Sequence, residues 1–483
     1  MLSSQLFIGG QRCAAQNGAT FRRLSPLDSS AITIASAASI SDANAAIDAA
    51  KAAQLGWANA GPGARRAVLL KAAELLENNA AQFSAAMAQE TGASAQWAGF
   101  NVHLGANMLI EAAALTTQIN GEVIPSDVSG SVATAMRAPA GVVLGIAPWN
   151  APIILGVRAI ATPLACGNAV VLKGSELCPV THSLIIESLH QAGMPAGVVN
   201  YITNAPSDAQ EIVRALIAHP AVRRVNFTGS THVGRIIAQT CAEFLKPAVL
   251  ELGGKAPLIV LEDADIEAAV AAAAFGSFAN SGQICMSTER IIVDKKIADE
   301  FVSKLAQKTR GLSIGDPREG QSVLGSVVGD ATVTRCNALI DDAVAQGAAI
   351  LCGGKASNTI MPATLLDHVT SSMKIYHEES FGPVKPIIRV DGIEAAIACA
   401  NDNAYGLSSA VFSKDIAKAW AVAQRIESGI CHINGPTVHD EAQMPFGGMK
   451  DSGYGRFGGQ AGINAFTELR WITIQMLDRH YPF

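Results

Sequence analysis

Residues 141–175, GVVLGIAPWNAPIILGVRAIATPLACGNAVVLKGS, alternate between two patterns. The runs VVLGIAP and NAVVLKGS are short and contain several β-branched residues, which favours strands. Between them, IILGVRAIATPLACG is long and apolar enough to form a helix that packs against a sheet. A strand, a helix and a second strand in succession predict a parallel sheet with right-handed crossovers. In such a sheet, ligands bind at the carboxyl ends of the strands.

The same alternation continues downstream of this stretch. Three more helix and strand pairs are predicted up to Gly254, and a second α/β unit follows. Upstream, residues 42–118 are rich in alanine and leucine and predict helices. Residues 119–140 are polar and rich in Ser, Val and Thr, which predicts extended strands. The fold class is therefore α/β, with a nucleotide-binding type of parallel sheet.

Composition excludes several classes of partner. The 483 residues carry a formal net charge of −6 and contain no basic run, which argues against nucleic acid or a membrane surface as a partner. We recognise no signal peptide and no stretch apolar enough to span a bilayer. The nine cysteines are scattered without a C-x-x-C motif, and no histidine pair has ligand spacing. We expect a cytoplasmic protein with reduced thiols and no metal site.

Two residues are candidates for chemistry. Cys285 lies in NSGQICMSTER, residues 280–290, at a loop where a helix breaks, so access and a lowered pKa are expected there. The alternative is a buried filler thiol, which is how we interpret the other eight cysteines. Glu251 ends an apolar strand before two glycines. It is either a general base at the sheet edge, with a raised pKa, or a surface residue.

Polar residues also follow other predicted strands. Asn150 follows the first strand, in APWNAP, and Lys173 and Glu176 follow the second, in VLKGSE. Ser230, in FTGSTHVG, is a good helix N-cap, and the free N–H groups of a helix start suit a phosphate. The G-x-G-x-x-G at residues 453–458 does not open a βαβ unit, so we interpret its glycines as structural.

Seven motifs together resemble one family. They occur in the order and at about the spacing found in the aldehyde dehydrogenase superfamily, and the resemblance covers essentially the whole chain. The motifs are APWN, LKGSE, FTGSTHVG, LELGGKAP, NSGQIC, EESFGPV and PFGGMKDSGYGR. The resemblance implies a Rossmann-like cofactor domain (residues 1–118 and 141–252), an α/β catalytic domain (253–450) and a small β oligomerisation element (119–140 and 467–483). It implies a homodimer, with a tetramer as the alternative.

The resemblance also implies a mechanism. Cys285 would attack the aldehyde to form a thiohemiacetal, which loses hydride to a nicotinamide and becomes a thioester that water cleaves. The side-chain amide of Asn150 and the backbone N–H of Cys285 would hold the oxyanion. Glu251 would be the general base for the water, which favours hydrolysis over transfer to coenzyme A.

For the cofactor, the resemblance assigns each end of the dinucleotide. Ser230 and the helix start at 229–234, with Gly229, would hold the pyrophosphate, and Lys173 and Glu176 the adenine ribose. Glu379 would bind the nicotinamide ribose. Phe381 would pack near it, and Trp149 also belongs to the cofactor site. Glu176 would repel a 2′-phosphate, so NAD is favoured. Ser175 could help to bind that phosphate, so NADP stays the alternative.

The substrate pocket is the least constrained part. Ala151, Leu155 and Arg158 follow Asn150 on one predicted helix, Trp97 lies on an earlier one, and Met286 flanks the cysteine. Ala151 opens space, and Arg158 would meet the phenolic oxygen of a hydroxylated aromatic aldehyde. The chain is similar to bacterial members that act on salicylaldehyde, vanillin and benzaldehyde, and salicylaldehyde is favoured.

Three alternatives to this interpretation stay open. The substrate could be a carboxylated aldehyde such as succinic semialdehyde, with Arg158 holding the carboxylate. Arg158 could instead form a salt bridge away from the pocket. The third alternative is a non-catalytic binding or structural protein of the same fold, although the cysteine, glutamate and asparagine are all present.

Overall fold

The computed structural model describes residues 1–319 and 322–483, and short strands and four long helices make up its first part. These are β1 (Leu2–Ser4), β2 (Leu6–Ile8), β3 (Gln11–Cys13), β4 (Thr20–Leu24), β5 (Ala31–Ser36), α1 (Ile40–Asn59), α2 (Pro62–Asn78), α3 (Ala80–Thr91) and α4 (Ala95–Leu115). The helices predicted within residues 42–118 are confirmed. Ser94 caps α4 by accepting a hydrogen bond from the backbone N–H of Trp97 at 3.3 Å, which fixes where this helix begins.

Two strands follow, and then the predicted alternation. The elements are β6 (Glu122–Ile124), β7 (Ser131–Pro139), β8 (Val142–Ile146), α5 (Pro152–Ala165), β9 (Ala169–Lys173), α6 (Pro179–Gln191), β10 (Val199–Ile202), α7 (Ala209–Ala218), β11 (Val222–Thr228), α8 (Thr231–Glu243) and β12 (Ala248–Glu251). The strands pair in parallel in the order β12-β11-β8-β9-β10. All residues of β8 and β9 are buried, as expected for a parallel sheet that is covered on both faces.

The last part of the chain contains the second α/β unit. Its elements are β13 (Ala256–Val260), α9 (Ile266–Phe278), β14 (Thr288–Asp294), α10 (Ala298–Arg310), α11 (Asp330–Ala345), β15 (Ala349–Cys352), β16 (Thr364–Asp367), α12 (Lys374–His377), β17 (Val384–Val390), α13 (Gly392–Asn401), β18 (Tyr405–Gly406), β19 (Ser408–Phe412), α14 (Ile416–Ala423), β20 (Ile430–Ile433), β21 (Met449–Lys450), β22 (Gly453–Tyr454), α15 (Gly459–Phe466) and β23 (Thr467–Gln475). Seven of these strands form a sheet in the order β15-β16-β17-β14-β13-β19-β20, parallel except for β15.

Strands that the sequence did not predict extend the first sheet at both edges. At one edge β2 pairs antiparallel with β10 and β3 pairs antiparallel with β2, and at the other edge β22 pairs antiparallel with β12. The strand β22 lies in the G-x-G-x-x-G segment, and its Gly453 has φ of 103°. A Cβ there would lie 2.1 Å from the carbonyl oxygen of Leu250, so only glycine fits. These glycines are structural, as predicted, and they let the chain close over the end of β12.

The strands β6, β7 and β23 form a separate antiparallel sheet in the order β23-β7-β6. This confirms the extended structure predicted for residues 119–140 and a strand near the carboxyl end. All of β23 except its first residue is exposed, and Trp471 is 79% exposed. Within the described residues, no helix is long and apolar enough to cross a membrane.

Candidate active site

The carboxyl ends of β8, β11 and β12 border a cavity of about 510 Å³. This volume lies within the range that small-molecule sites occupy. Segments of the second α/β unit complete its wall. Eight of the residues that the sequence predicted as catalytic or cofactor-binding line this cavity: Trp149, Asn150, Gly229, Ser230, Glu251, Cys285, Glu379 and Phe381.

Cys285 follows a strained segment of backbone. Asn280 and Ser281 have φ of 49° and 54°, and Gly282 has φ of 73°. The left-handed conformation costs a non-glycine residue about 1–2 kcal/mol. The surrounding structure compensates, since the hydroxyl of Ser281 donates a hydrogen bond to the carbonyl of Gly325 at 3.1 Å. Strained backbone is often found at functional sites. Here the strained segment directly precedes the cysteine that lines the cavity.

Asn150 is fixed on both its side chain and its backbone. Its Nδ2 donates to the carbonyl of Gln283 at 3.0 Å. Its own carbonyl accepts hydrogen bonds from Trp97 Nε1 and Asn280 Nδ2, both at 2.9 Å. An amide nitrogen carries two hydrogens, so one remains for a ligand in the cavity. The amide is therefore a pre-positioned donor beside the cysteine segment.

Glu251 is a completely buried carboxylate. It ends β12 with no exposed surface, and among the described residues neither of its oxygens has a hydrogen-bond partner. Burial raises the pKa of Glu251 to about 7, although the Cys285 thiol and Arg158 act to lower it. The burial excludes the surface alternative. A carboxyl group with this pKa can accept a proton near neutral pH.

The two glycines after Glu251 allow close approach of other segments. A Cβ at Gly253 would lie 2.9 Å from Glu379 Oε2, and one at Gly254 would lie 2.2 Å from the carbonyl oxygen of Cys285. The hydroxyl of Ser452, next to β22, donates to the carbonyl of Gly253 at 2.6 Å. The glycines therefore bring the ends of three segments together around one cavity.

The thiol of Cys285 does not have the lowered pKa that the loop position predicted. The residue is only partly exposed, and burial raises the pKa of its thiol well above the ordinary value. The nearby carboxylates of Glu251 and Glu379 raise this pKa further, whereas Arg158 lowers it. The thiol is therefore protonated at neutral pH. A thiol in this state would need a proton acceptor before it could act as a nucleophile, and Glu251 lines the same cavity.

The side of the cavity where the sequence predicted the cofactor contains a helix start and a second carboxylate. The Ser230 side chain caps α8 by accepting a hydrogen bond from the backbone N–H of Val233 at 3.4 Å. Glu379 Oε1 accepts one from the N–H of Gly254 at 2.9 Å. Burial raises the pKa of Glu379 to about 7. Trp149 and Phe381 pack edge to face, with ring centroids 5.8 Å apart.

Three predicted cofactor residues lie next to this cavity and not in its wall. Lys173, Ser175 and Glu176 are at and after the end of β9, at the same edge of the sheet. Lys173 Nζ pairs with Glu176 Oε2 at 3.3 Å. Ser175 Oγ accepts a hydrogen bond from the N–H of Leu177 at 3.2 Å. They therefore lie at the carboxyl end of the strand next to β8, at the sheet edge that borders the cavity.

The predicted substrate residues are all buried. Ala151, Leu155 and Met286 are each 5–6% exposed. Trp97 stacks on Phe100 with ring centroids 5.4 Å apart, and its indole N–H supports the Asn150 carbonyl as described above. Trp97 also lines a second, mostly apolar cavity of about 330 Å³. Its clearest role in the structure is therefore to position Asn150.

Arg158 is not a free cation. It forms a buried ion pair with Asp440, and its guanidinium carbon lies 4.0 Å from the centroid of the Phe446 ring. This pair is the salt bridge that the sequence left open as an alternative, but it is not remote from the site. Arg158 lowers the pKa of Glu251, and Asp440 raises it. The sequence did not identify Asp440 because it lies 282 residues from Arg158.

A comparison with protein-family models identifies the chain. The model described as "Aldehyde dehydrogenase family" matches residues 13–472. The chain belongs to the aldehyde dehydrogenase family. It is therefore an enzyme, and the family resemblance of the seven motifs is confirmed.

Relatives of this aldehyde dehydrogenase match it over its full length. It is 61% identical over 482 residues to a vanillin dehydrogenase of Pseudomonas fluorescens, covering 100% of both chains. It is 51% identical over 483 residues to a salicylaldehyde dehydrogenase of Pseudomonas putida, again covering 100% of both. The crystal structure of a salicylaldehyde dehydrogenase from Pseudomonas putida G7 complexed with salicylaldehyde superposes with a TM-score of 0.98 over 100% of both chains, at 51% identity.

Enzymes of this family use NAD(P), and the cavity of this aldehyde dehydrogenase fits that group. The N-terminus of α8 offers N–H groups for a pyrophosphate, and Glu379 offers a free carboxylate oxygen for a ribose hydroxyl. Within residues 1–319 and 322–483, no cluster of three or more His, Cys, Asp or Glu side chains is placed to hold a metal ion.

Proposed function

We propose that this enzyme oxidises hydroxylated aromatic aldehydes to carboxylates with NAD and releases the product by hydrolysis. One observation carries the proposal: Cys285, the buried carboxylate of Glu251 and the amide of Asn150 line a single cavity. Full-length relatives that are named for vanillin and salicylaldehyde support the aromatic substrate.

In the proposed reaction, Glu251 first accepts the proton of the Cys285 thiol, whose raised pKa otherwise keeps it protonated. The thiolate attacks the aldehyde carbon, and the remaining N–H of Asn150 stabilises the oxyanion. NAD held at the start of α8 and by Glu379 would supply the acceptor for the hydride. Glu251 passes this first proton to solvent and then takes a second one from the water that attacks the thioester. The C–S bond breaks, the carboxylic acid product loses its own proton to solvent, and the Cys285 thiolate takes back the proton that Glu251 holds.

The choice of aldehyde depends on the pair of Arg158 and Asp440. Asp440 already compensates the charge of Arg158, which disfavours a carboxylated substrate such as succinic semialdehyde. A neutral ring hydroxyl suits the pair better, because Asp440 Oδ1 has no hydrogen-bond partner among the described residues and can accept one. We propose salicylaldehyde as the first candidate substrate and vanillin as the second.

The cofactor preference rests on Glu176. Its carboxylate pairs with Lys173 at the edge of the sheet, where a ribose is expected, and it would repel a 2′-phosphate. NAD is therefore proposed over NADP.

We also propose that the enzyme is a homodimer joined through β23, with a tetramer as the alternative. The support is a long edge strand whose apolar side chains are exposed, since such edges are usually paired or protected. Trp471→Glu adds a charge to this edge. We expect it to lower the molecular mass in sedimentation velocity, and an unchanged mass would contradict this interface.

The first experiment measures reduced cofactor by absorbance with salicylaldehyde, vanillin, benzaldehyde, succinic semialdehyde and acetaldehyde, each with NAD and with NADP. Cys285→Ser is the control. A preference for aromatic aldehydes that the substitution abolishes supports the proposal. A preference for succinic semialdehyde would assign Arg158 to a carboxylate. Turnover that survives the substitution would overturn the role of Cys285.

A second experiment tests the ring hydroxyl, with benzaldehyde as the matched control because it has none. Arg158→Ala is expected to lower kcat/KM for salicylaldehyde more than for benzaldehyde, by about tenfold, as for a lost hydrogen bond to a charged group. An unchanged ratio between the two substrates would show that Arg158 does not read the hydroxyl.

A further inference from the structure

A cluster of buried charges lies behind the cavity, in residues with no part in the proposed chemistry. Glu289 is the second residue of β14, Lys385 is the second residue of β17, and Lys255 directly precedes β13. The three side chains are 0–1% exposed. Glu289 Oε2 lies 2.8 Å from Lys255 Nζ, and Glu289 Oε1 lies 2.6 Å from Lys385 Nζ.

The cluster binds one loop at several points. The backbone N–H of Ser380 donates to Glu289 Oε2 at 2.8 Å, and its hydroxyl donates to Glu289 Oε1 at 2.6 Å. Lys255 Nζ donates to the carbonyl of Glu378 at 2.6 Å. Both partners flank Glu379 in the sequence. The loop thus receives hydrogen bonds on either side of Glu379, whose side chain lies at the cavity.

The same cluster reaches the segments of the catalytic residues. Lys255 follows Gly254, whose N–H holds Glu379, and that strand end carries Glu251. Glu289 comes four residues after Cys285 in the chain. Lys385 Nζ lies 3.2 Å from the position that a Cβ would take at Gly282. Three segments that form the cavity wall therefore meet at one buried carboxylate.

The electrostatics of the cluster favour the ionised carboxylate of Glu289. Burial alone would raise the pKa of Glu289, but the two ammonium groups outweigh it and lower that pKa to about 2. Buried ion pairs contribute little net stability compared with apolar residues, so their presence here calls for another reason. Fixing the register of neighbouring segments is the best attested use of such groups.

We propose that Glu289, with Lys255 and Lys385, is a positioning residue that holds the loop of Glu379 and Phe381 against the catalytic segments and so presets the nicotinamide end of the cofactor site. This rests on the proposed function, because it takes Glu379 and Phe381 to contact NAD. None of the three charged residues is among those that line the cavity. Their effect is transmitted through Ser380 and the backbone of Glu378.

The test measures the Kd of NAD⁺ by calorimetry, together with kcat and KM, for the full-length enzyme and for Glu289→Gln. We expect the Kd and the KM for NAD⁺ to rise by at least about tenfold, or ~1.4 kcal/mol. The KM for the aldehyde and the kcat at saturating NAD⁺ are expected to change less. A Kd and a KM within twofold of wild type would overturn the proposal, whatever happens to the melting temperature.

Asp367→Asn is the matched control. Asp367 is also a buried carboxylate of the second sheet, and it pairs with Arg389, which lies on the same strand as Lys385. Its loss is expected to lower the melting temperature and leave the Kd of NAD⁺ unchanged. An equal rise in Kd for Asp367→Asn would mean that general loosening of the sheet explains the effect, which would also overturn the proposal.

Ser380→Ala serves if Glu289→Gln does not fold, because it keeps both ion pairs and removes only the hydroxyl that donates to Glu289. A Kd for NAD⁺ raised severalfold supports the proposed positioning role of Glu289, and an unchanged Kd contradicts it. Wild-type enzyme that binds no NAD⁺ at all would overturn the proposed function itself. That outcome is distinct from equal binding of NAD⁺ by wild type and variant, which overturns only the positioning role of Glu289.

Discussion

Two buried glutamates precede and follow Cys285 in the chain, and they behave in opposite ways. Glu251 and Glu289 are 0% and 1% exposed. Glu289 accepts four hydrogen bonds, two of them from lysines, and its pKa falls to about 2. Glu251 accepts none from the described residues, and burial raises its pKa to about 7. Burial by itself does not set the protonation of a carboxyl group, because its partners decide the sign of the shift.

The difference suits Glu289 to a structural role and Glu251 to a role in proton transfer. A group that must take up and release a proton near pH 7 cannot be surrounded by donors that hold it ionised. Glu251 therefore sits in a poor environment for its charge, and this costs stability. Glu289 is fully satisfied and titrates far below the physiological range, so it can hold a loop in place at any working pH.

The largest effect expected from this comparison is on turnover. Glu251→Gln keeps the shape of the side chain but removes the base, so kcat is expected to fall by about 10²–10⁴-fold. Glu289→Gln should change kcat far less, because Glu289 does not contact the reacting atoms. Steady-state rates at saturating aldehyde and cofactor measure both. A Glu251→Gln variant with near wild-type kcat would end the assignment of Glu251 as the base.

The second prediction concerns the sign of the stability change. The folded pKa of Glu251 is raised from 4.5 to about 7, so stability falls as pH rises through this window and the penalty is complete above it. Glu251→Gln should therefore increase the free energy of unfolding at pH 8 by about 1–3 kcal/mol. Glu289→Gln breaks a buried ionic cluster and should decrease it by about 3–5 kcal/mol.

Urea denaturation at pH 8 compares these two variants with wild type. The contribution of Glu289 has the opposite pH dependence, because its folded pKa is lowered. That stability is present above about pH 4.5 and is lost as pH falls toward 2. Destabilisation by Glu251→Gln at pH 8 would show that its carboxylate has partners in solution.

Much of the fold could be predicted because its signals are local. The alternation that starts at residue 141 predicts the parallel sheet, and a parallel sheet brings the carboxyl ends of its strands to one edge. Asn150, Ser230 and Glu251 each follow or end a strand, so their convergence follows from the topology. The position of Cys285 in the same cavity depended on the family resemblance, since nothing local joins it to the first sheet.

What the sequence did not predict depends on distant partners. Glu289 is 34 and 96 residues from its two lysines, and Asp440 is 282 residues from Arg158. Such pairs leave no periodic signal along the chain. The raised pKa of Cys285 was missed for a related reason, because burial and two carboxylates from other segments outweigh the loop position from which a lowered pKa was expected.

The third prediction is the pH profile of catalysis. If Glu251 must be ionised to accept a proton, kcat/KM should fall about tenfold per pH unit below an apparent pKa of about 7. Glu251 and Cys285 interact, so this value belongs to the pair. Rates between pH 5.5 and 9 with a fixed aldehyde measure it. An acid limb near pH 4.5 would mean that the carboxyl group is solvated during turnover.

The smallest expected effect comes from the pair behind Glu251. Asp440 raises the pKa of Glu251 and Arg158 lowers it, so removing each charge should move the acid limb in opposite directions. Asp440→Asn should shift the limb to lower pH, and Arg158→Met should shift it to higher pH. Benzaldehyde is the suitable substrate, since it has no ring hydroxyl for either residue to bind. A shift in the same direction for both variants would show that they act through the shape of the pocket, because an effect of charge has opposite signs for the two residues.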